Sequence, residues 1–262
     1  MINFIHNLPL WFLGILLNVW LIGFALGGLW VVRRWALPRM HLRYHDAYFG
    51  AAVLQSSMLL YGLIAALTAV SVWQRYSQAS DIVSSEATAI ASLWRDFGGY
   101  PEAQRDALRN MLRAYTYHII HEAWPAQRRG TISLQGVEWL DRLQEQLFAL
   151  EPATESQKLI QNETLLSFDR LVQQRRQRLD FVRAGLPTVF WYVLLPGAMG
   201  CIALCLFFHV DNPRFQAILL VGLAGFLSMV LFVIIALDRP LCGETSVSSD
   251  SYQLVYDHFM RK

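Results

Sequence analysis

The sequence is short of charge. Only 16% of its 262 residues are Asp, Glu, Lys or Arg, against 55% hydrophobic, and the mean hydropathy is +0.32; soluble domains are about a quarter charged. Water alone is excluded as the solvent. Cysteine is scarce as well: Cys201, Cys205 and Cys242 lie in or beside apolar stretches, so neither a disulfide framework nor a CxxC metal site is expected, and Cys201 and Cys205 read as small packing residues. A net charge of +2 without a basic arm leaves no footprint for nucleic acid. A G-x-S-x-G elbow, a Walker loop and a Rossmann fingerprint are also missing, so neither an enzyme nor a cofactor is expected.

What the sequence does have is long apolar runs. A helix needs about 20 apolar residues to cross the hydrocarbon layer, where lipid offers no partner for a free backbone N–H or C=O. Four stretches qualify, at 10–32, 49–73, 188–209 and 215–237, with Trp11, Trp30, Trp73, Trp191 and Tyr192 near their ends, where amphipathic rings favour the interface. The first is followed by Arg33 and Arg34 and is too long for a signal-peptide core, so it reads as a retained anchor. None of the four contains an interior Asp, Glu, Lys or Arg, which argues against a proton pump, an ion-coupled carrier or a voltage sensor. Asn18, Gln55, Ser56 and Ser57 are the weaker intramembrane polar groups, and interhelical hydrogen bonds are expected of them. Gly23 and Gly27 form a GxxxG pair, and Gly62, Ala65, Ala66 and Ala69 give the second span a small face. Close packing within one subunit is the first reading of these faces, and a pore wall in an oligomer is the second.

The remaining segments divide as a tail (1–9), a basic loop (33–48), a soluble domain (74–187), a short loop (210–214) and a C-terminal tail (238–262). The soluble domain reads as helices. From Gln74 the second span continues without a breaker, and Ala79, Val83, Glu86, Ile90, Leu93 and Phe97 recur at helical steps until Gly98-Gly99. A second helix is expected from Pro101 to Trp124, ended by Pro125, a third near 134–150, and a fourth from the Thr154/Gln157 capping-box signal towards Gly185. The tail predicts a short amphipathic helix with Tyr252, Val255 and Phe259 on its apolar side, docked on the soluble bundle or on a neighbouring subunit. The fold class is therefore an all-α integral membrane protein, with two pairs of transmembrane helices flanking a helical soluble domain.

Arginines split over the two sides. Arg33, Arg34, Arg39, Arg43 and Arg214 share one, while Arg75, Arg170, Arg175, Arg176, Arg178, Arg183 and Arg239 lie near the membrane on the domain's side. The short-loop cluster places the domain outside and the larger count places it in the cytoplasm; the balance leans to the cytoplasm. The cluster Arg175, Arg176, Arg178 and Arg183 reads as a solvated helix face, then as a site for anionic lipid headgroups, then as an anion funnel. His118, His121 and Glu122 sit one helical step apart but lack a separated third ligand, so a half-exposed face outweighs a metal site. Asp238, Arg239 and Pro240, at the end of the fourth span, read as a structural clamp on the chain's exit, with direct ion contact secondary.

Several strings resemble the bacterial bestrophin-like domain family: Trp73-Gln-Arg-Tyr76-Ser-Gln-Ala79 with Val83 and Glu86-Ala87, Glu122-Ala-Trp124-Pro125, Leu186-Pro187 with Trp191, and Ala236-Leu237-Asp238-Arg239-Pro240 followed by Gly243. They cover the chain from about Tyr44 onwards. Likeness to true bestrophins is one of architecture. It implies a homo-oligomeric ion channel of the bacterial inner membrane, commonly anion-selective and pentameric, with the second span around a central pore; Gln55, Leu59, Gly62, Ala66 and Ala69 are then the pore-lining candidates. The bilayer and further copies of the chain are the expected partners. Two departures matter. The bulky pore neck of true bestrophins is replaced by Gly62, Ala66 and Ala69, and their acidic calcium clasp has no counterpart in Thr245-Ser-Val-Ser-Ser-Asp250, so calcium gating is not expected. The rival reading is a non-conducting membrane scaffold or sensor that binds a partner through its helical domain.

Overall fold

The computed structural model describes residues 9–36, 39, 44–133, 135–152, 154–183, 185–208, 210 and 212–261. Residues 1–8 of the tail, Arg43, Leu134, His209 and the side chain of Arg183 lie outside what is described. Every regular element among the described residues is helical: α1 (Leu10–Val31), α2 (Tyr44–Asp96), α3 (Glu102–His118), α4 (Trp124–Arg128), α5 (Gln135–Phe148), α6 (Glu155–Arg183), α7 (Thr188–Leu206), α8 (Pro213–Leu237) and α9 (Asp250–Val255). Four helices are long and apolar enough to cross a membrane, Leu10–Trp35, Phe49–Gly99, Thr188–Leu206 and Pro213–Leu237. The chain forms two compact units, residues 1–74 with 186–238, and residues 75–185 with 239–262.

In the first unit α1 packs along α8 and against α7. Leu21, Ala25 and Leu29, four residues apart on α1, are buried with Ala198 and Ile202 of α7 and Ala224 and Leu231 of α8. Small residues set the close approaches. A Cβ on Gly28 would lie 2.5 Å from Leu206 Cδ1, and one on Gly197 would lie 2.6 Å from the Tyr61 ring. Tyr61 donates its hydroxyl to the Leu194 carbonyl at 3.2 Å, and α7 continues through Pro196 without ending. Asn212 accepts from the N–H groups of Arg214 and Phe215, with Pro213 in the first turn; cap and proline together start α8.

In the second unit the stripe Ala79, Val83, Glu86, Ile90, Leu93 and Phe97 is buried along its whole length. The capping box forms reciprocally: Gln157 N–H donates to Thr154 Oγ1 at 3.2 Å, and Thr154 N–H to Gln157 Oε1 at 3.3 Å. One expectation fails here. Pro125 does not end the second helix, which passes through a π-helical turn at Ile119–Ala123 and runs on to Arg128. A wider turn just before the proline relieves its clash with the preceding carbonyls, at no cost in a hydrogen bond proline cannot make. The tail docks on its own helical unit, with Tyr252 and Met260 fully buried in that core and Val255 and Phe259 packed against it.

Candidate functional site

With 3.6 residues per turn, Tyr61, Ala65, Thr68 and Val72 share one side of α2, and all are buried in the first unit. Gln55, Leu59, Gly62 and Ala66 lie about a third of a turn away and are exposed in the single chain, while Ala69 is half-buried against the core. This exposed face carries no charge. Packing among the described residues leaves Gly23, Gly27 and Gly62 unused, since a Cβ on any of them would meet none of those residues within 4 Å. The close approaches fall instead on Gly28 and Gly197. Ser56 also departs from expectation, donating to the Ala52 carbonyl of its own helix at 2.9 Å. On an exposed apolar face the carbonyl one turn back is the nearest acceptor.

The arginine cluster is not one surface. Arg176 is exposed, and Arg175 is half-buried beside Gly136. Arg178 is a correction: it is 2% exposed and belongs to neither a solvated face nor a headgroup site. Its Nε donates to Glu86 Oε2 at 2.6 Å, Nη2 to Glu86 Oε1 at 3.1 Å and Nη1 to Gln127 Oε1 at 2.7 Å. Tyr252 donates its hydroxyl to Glu86 Oε2 at 3.0 Å and Tyr115 its hydroxyl to Oε1 at 3.3 Å, so each carboxylate oxygen accepts one guanidinium N–H and one tyrosine hydroxyl, about its full capacity. The guanidinium also lies over the Trp124 and Tyr252 rings, at 5.7 and 5.9 Å.

Electrostatics follow from this enclosure. Burial works against the Arg178 charge, but the Glu86 carboxylate outweighs it and raises the guanidinium pKa further above its usual range. Burial, then the Glu86 charge, push both tyrosine hydroxyls up from their usual value of 10.0, making them donors rather than acids. Burial likewise pushes up the Cys242 thiol, against a smaller opposing effect of Arg239, and that thiol donates to the Gln127 and Val182 carbonyls at 3.4 and 3.6 Å. Sequence reasoning had Glu86 and Tyr252 on buried stripes but missed Arg178. The available signal was phase: Thr164, Phe168, Leu171, Arg178 and Val182 form one buried line on α6.

Asp238 is 3% exposed, and its Oδ1 accepts the Leu186 N–H at 2.6 Å, tying the segment before α7 to the end of α8. Pro240 is buried, and its carbonyl accepts the Val247 N–H at 2.8 Å. The Arg239 carbonyl accepts the Cys242 N–H at 3.1 Å. The turn closes at Gly243, whose φ of 78° lies in the left-handed region and whose N–H donates to the Arg128 carbonyl at 3.0 Å. His118 Nδ1 faces Glu122 Oε2 at 3.0 Å, and no cluster of three metal-ligating side chains occurs among the described residues.

The spans and the helical unit define a multi-pass helical membrane protein. A family model, the Bestrophin-like domain, matches residues 19–252, and the chain belongs to that family. A crystal structure of a bacterial bestrophin homologue from Klebsiella pneumoniae is similar to it at 12% identity and a TM-score of 0.72, over 93% of this chain and 97% of that one. A mutant of a bacterial bestrophin homologue from Klebsiella pneumoniae gives 12% and 0.74, over 94% and 99%. A further crystal structure, described as a membrane protein, gives 10% and 0.71, over 95% and 99%. No curated protein matches the sequence.

Proposed function

We propose that the protein is a homo-oligomeric, bestrophin-type ion channel that passes anions, built as a pentamer around the exposed face of α2. The observation that carries this is the uncharged face of Gln55, Leu59, Gly62 and Ala66, which the subunit's own packing leaves open, in a chain of the bestrophin-like family. Leu60, Leu63 and Leu67, large and exposed on the same helix, serve as its lipid or subunit contacts. Ala69 lies at the margin of the pore wall. Arg175, Arg176 and Arg183 raise the local concentration of anions or hold lipid headgroups, and the protein lies in the bacterial inner membrane with its helical unit on the cytoplasmic side, where the larger number of juxtamembrane arginines falls. Asp238, with Arg239 and Pro240, is a structural clamp rather than an ion contact.

The test is reconstitution in a planar bilayer together with imaging of the detergent-purified particle. The expected result is a closed ring whose chloride conductance falls by about tenfold or more in Gly62→Leu, because four added side-chain carbons per subunit would crowd the axis. A particle without a shared axis, or a Gly62→Leu protein with unaltered mass and conductance, overturns the assignment of α2 to the pore.

A further inference from the structure

α1 runs into a π-helical turn at Val32–Ala36, and a cleft of about 400 Å³ lies there, lined by Leu26, Leu29, Trp30, Arg33 and Arg34. These residues recur at steps of three and four, so they form one stripe of the helix. From Leu26 to Arg33 the stripe rises about 10 Å along the helix axis, apolar first and cationic at its end.

Arg33 is built into this end. Gln216, 3% exposed, donates Nε2 to the Phe208 carbonyl at 2.8 Å, which turns its Oε1 towards Arg33. That oxygen accepts from Arg33 Nη2 at 2.6 Å and Nε at 3.1 Å, and Nη2 donates to the Val210 carbonyl as well. Both acceptors are neutral. A half-buried guanidinium is therefore fixed in place with no counter-charge among the described residues, and a charge withdrawn from water without one is costly. Arg34, exposed beside it, has no hydrogen bond or ion pair among those residues either. Arg39 adds a third charge at the same turn, donating to the Trp35 carbonyl at 3.2 Å with its guanidinium 5.5 Å from that ring.

The chemistry of the lining selects the occupant. No carboxylate lines the cleft, so an ammonium headgroup finds no partner there, whereas a phosphate diester meets two guanidiniums, its preferred donors. The two loops on this side, 33–48 and 210–214, carry Arg33, Arg34, Arg39, Arg43 and Arg214 against Asp46 and Asp211, a surplus that draws anionic headgroups. Trp30 and Trp35, both exposed, are residues of the headgroup level. We infer that this cleft binds one anionic phospholipid from the leaflet beside the two loops, with its phosphate on Arg33 and Arg34 and an acyl chain along Leu26, Leu29 and Trp30. The inference rests on the membrane spans and is independent of the channel reading and of the arginines on α6.

Native mass spectrometry of the detergent-purified particle, titrated with phosphatidylglycerol, phosphatidylcholine and inorganic phosphate, tests it. Phosphatidylglycerol is expected to saturate at about one tight molecule per subunit and to bind about tenfold more tightly than phosphatidylcholine, with inorganic phosphate failing to displace it. Arg34→Gln, at an exposed position, is expected to keep the particle mass and the unfolding temperature in lipid-free detergent while weakening phosphatidylglycerol by about tenfold. Arg214→Gln removes the same charge from the same side but outside the cleft, and is expected to change the affinity by less than about twofold. Equal binding of the two lipids, displacement by inorganic phosphate, equal losses in Arg34→Gln and Arg214→Gln, or a neighbouring subunit's side chains filling the cleft in a map of the particle would each overturn the inference.

Discussion

Replacing Arg178 with Met keeps a long unbranched side chain but removes the guanidinium, and with it the bonds of 2.6 and 3.1 Å to Glu86 and 2.7 Å to Gln127. Glu86, fully buried, would keep only the two tyrosine hydroxyls as donors. Breaking one side of such a pair costs about 3–5 kcal/mol, a large share of the roughly 5–15 kcal/mol that holds a domain together. For a unit of this size the unfolding temperature should fall by roughly 10–20 °C. Glu86→Gln alone should cost a similar amount, because it strands the guanidinium. The double variant Glu86→Gln/Arg178→Met buries no charge, and should be less destabilised than the sum of the singles by about 2 kcal/mol or more. Denaturant titrations followed by circular dichroism of the detergent-solubilised protein would measure all four forms. A loss below about 1 kcal/mol in Arg178→Met, or strict additivity in the double variant, would refute the reading of this pair as the keystone of the helical unit.

Tyr252→Phe removes a hydroxyl that donates to Glu86 at 3.0 Å and should cost about 1.5–3 kcal/mol at neutral pH. Both Tyr115 and Tyr252 have folded values raised above 10.0, so the unfolded chain loses its protons first. Their contribution is whole below about pH 10 and declines above it, by about 1.4 kcal/mol per pH unit for each tyrosine; the alkaline slope should be shallower in Tyr252→Phe, and an unchanged slope would count against the shift. Gly197→Ala places a methyl 2.6 Å from the Tyr61 ring and should destabilise the membrane unit by about 1–3 kcal/mol, whereas Gly200→Ala on the same helix, with nothing within 4 Å, should be neutral or stabilising in the same melt. Gly243→Ala forces a side chain into a left-handed conformation and should cost about 1–2 kcal/mol, with Gly243→Asn milder; equal melting of the two variants would remove the backbone explanation.

The four spans were legible because lipid imposes one requirement, a continuous apolar run of fixed length, and each run states its own length. The Ala79 to Phe97 stripe was legible for a related reason, since its period is local. Arg178 was not, because its partner is 92 residues away and a row of arginines looks solvated unless its helical phase is compared with that of Leu171 and Val182. The small residues show the same limit. GxxxG marks Gly23 and Gly27 as a contact, yet within the subunit Gly28 and Gly197 receive the neighbouring side chains, a choice made by the partner helix rather than by the motif.

Tyr252 completes the coordination of Glu86 from a segment synthesised 166 residues later. Between the two, the ribosome must deliver α7 and α8, so the helical unit cannot close its core until both of those spans have left the exit tunnel. During translation the Glu86 carboxylate therefore waits without its last donor, and maturation of the water-exposed unit is coupled to insertion of the final membrane pair.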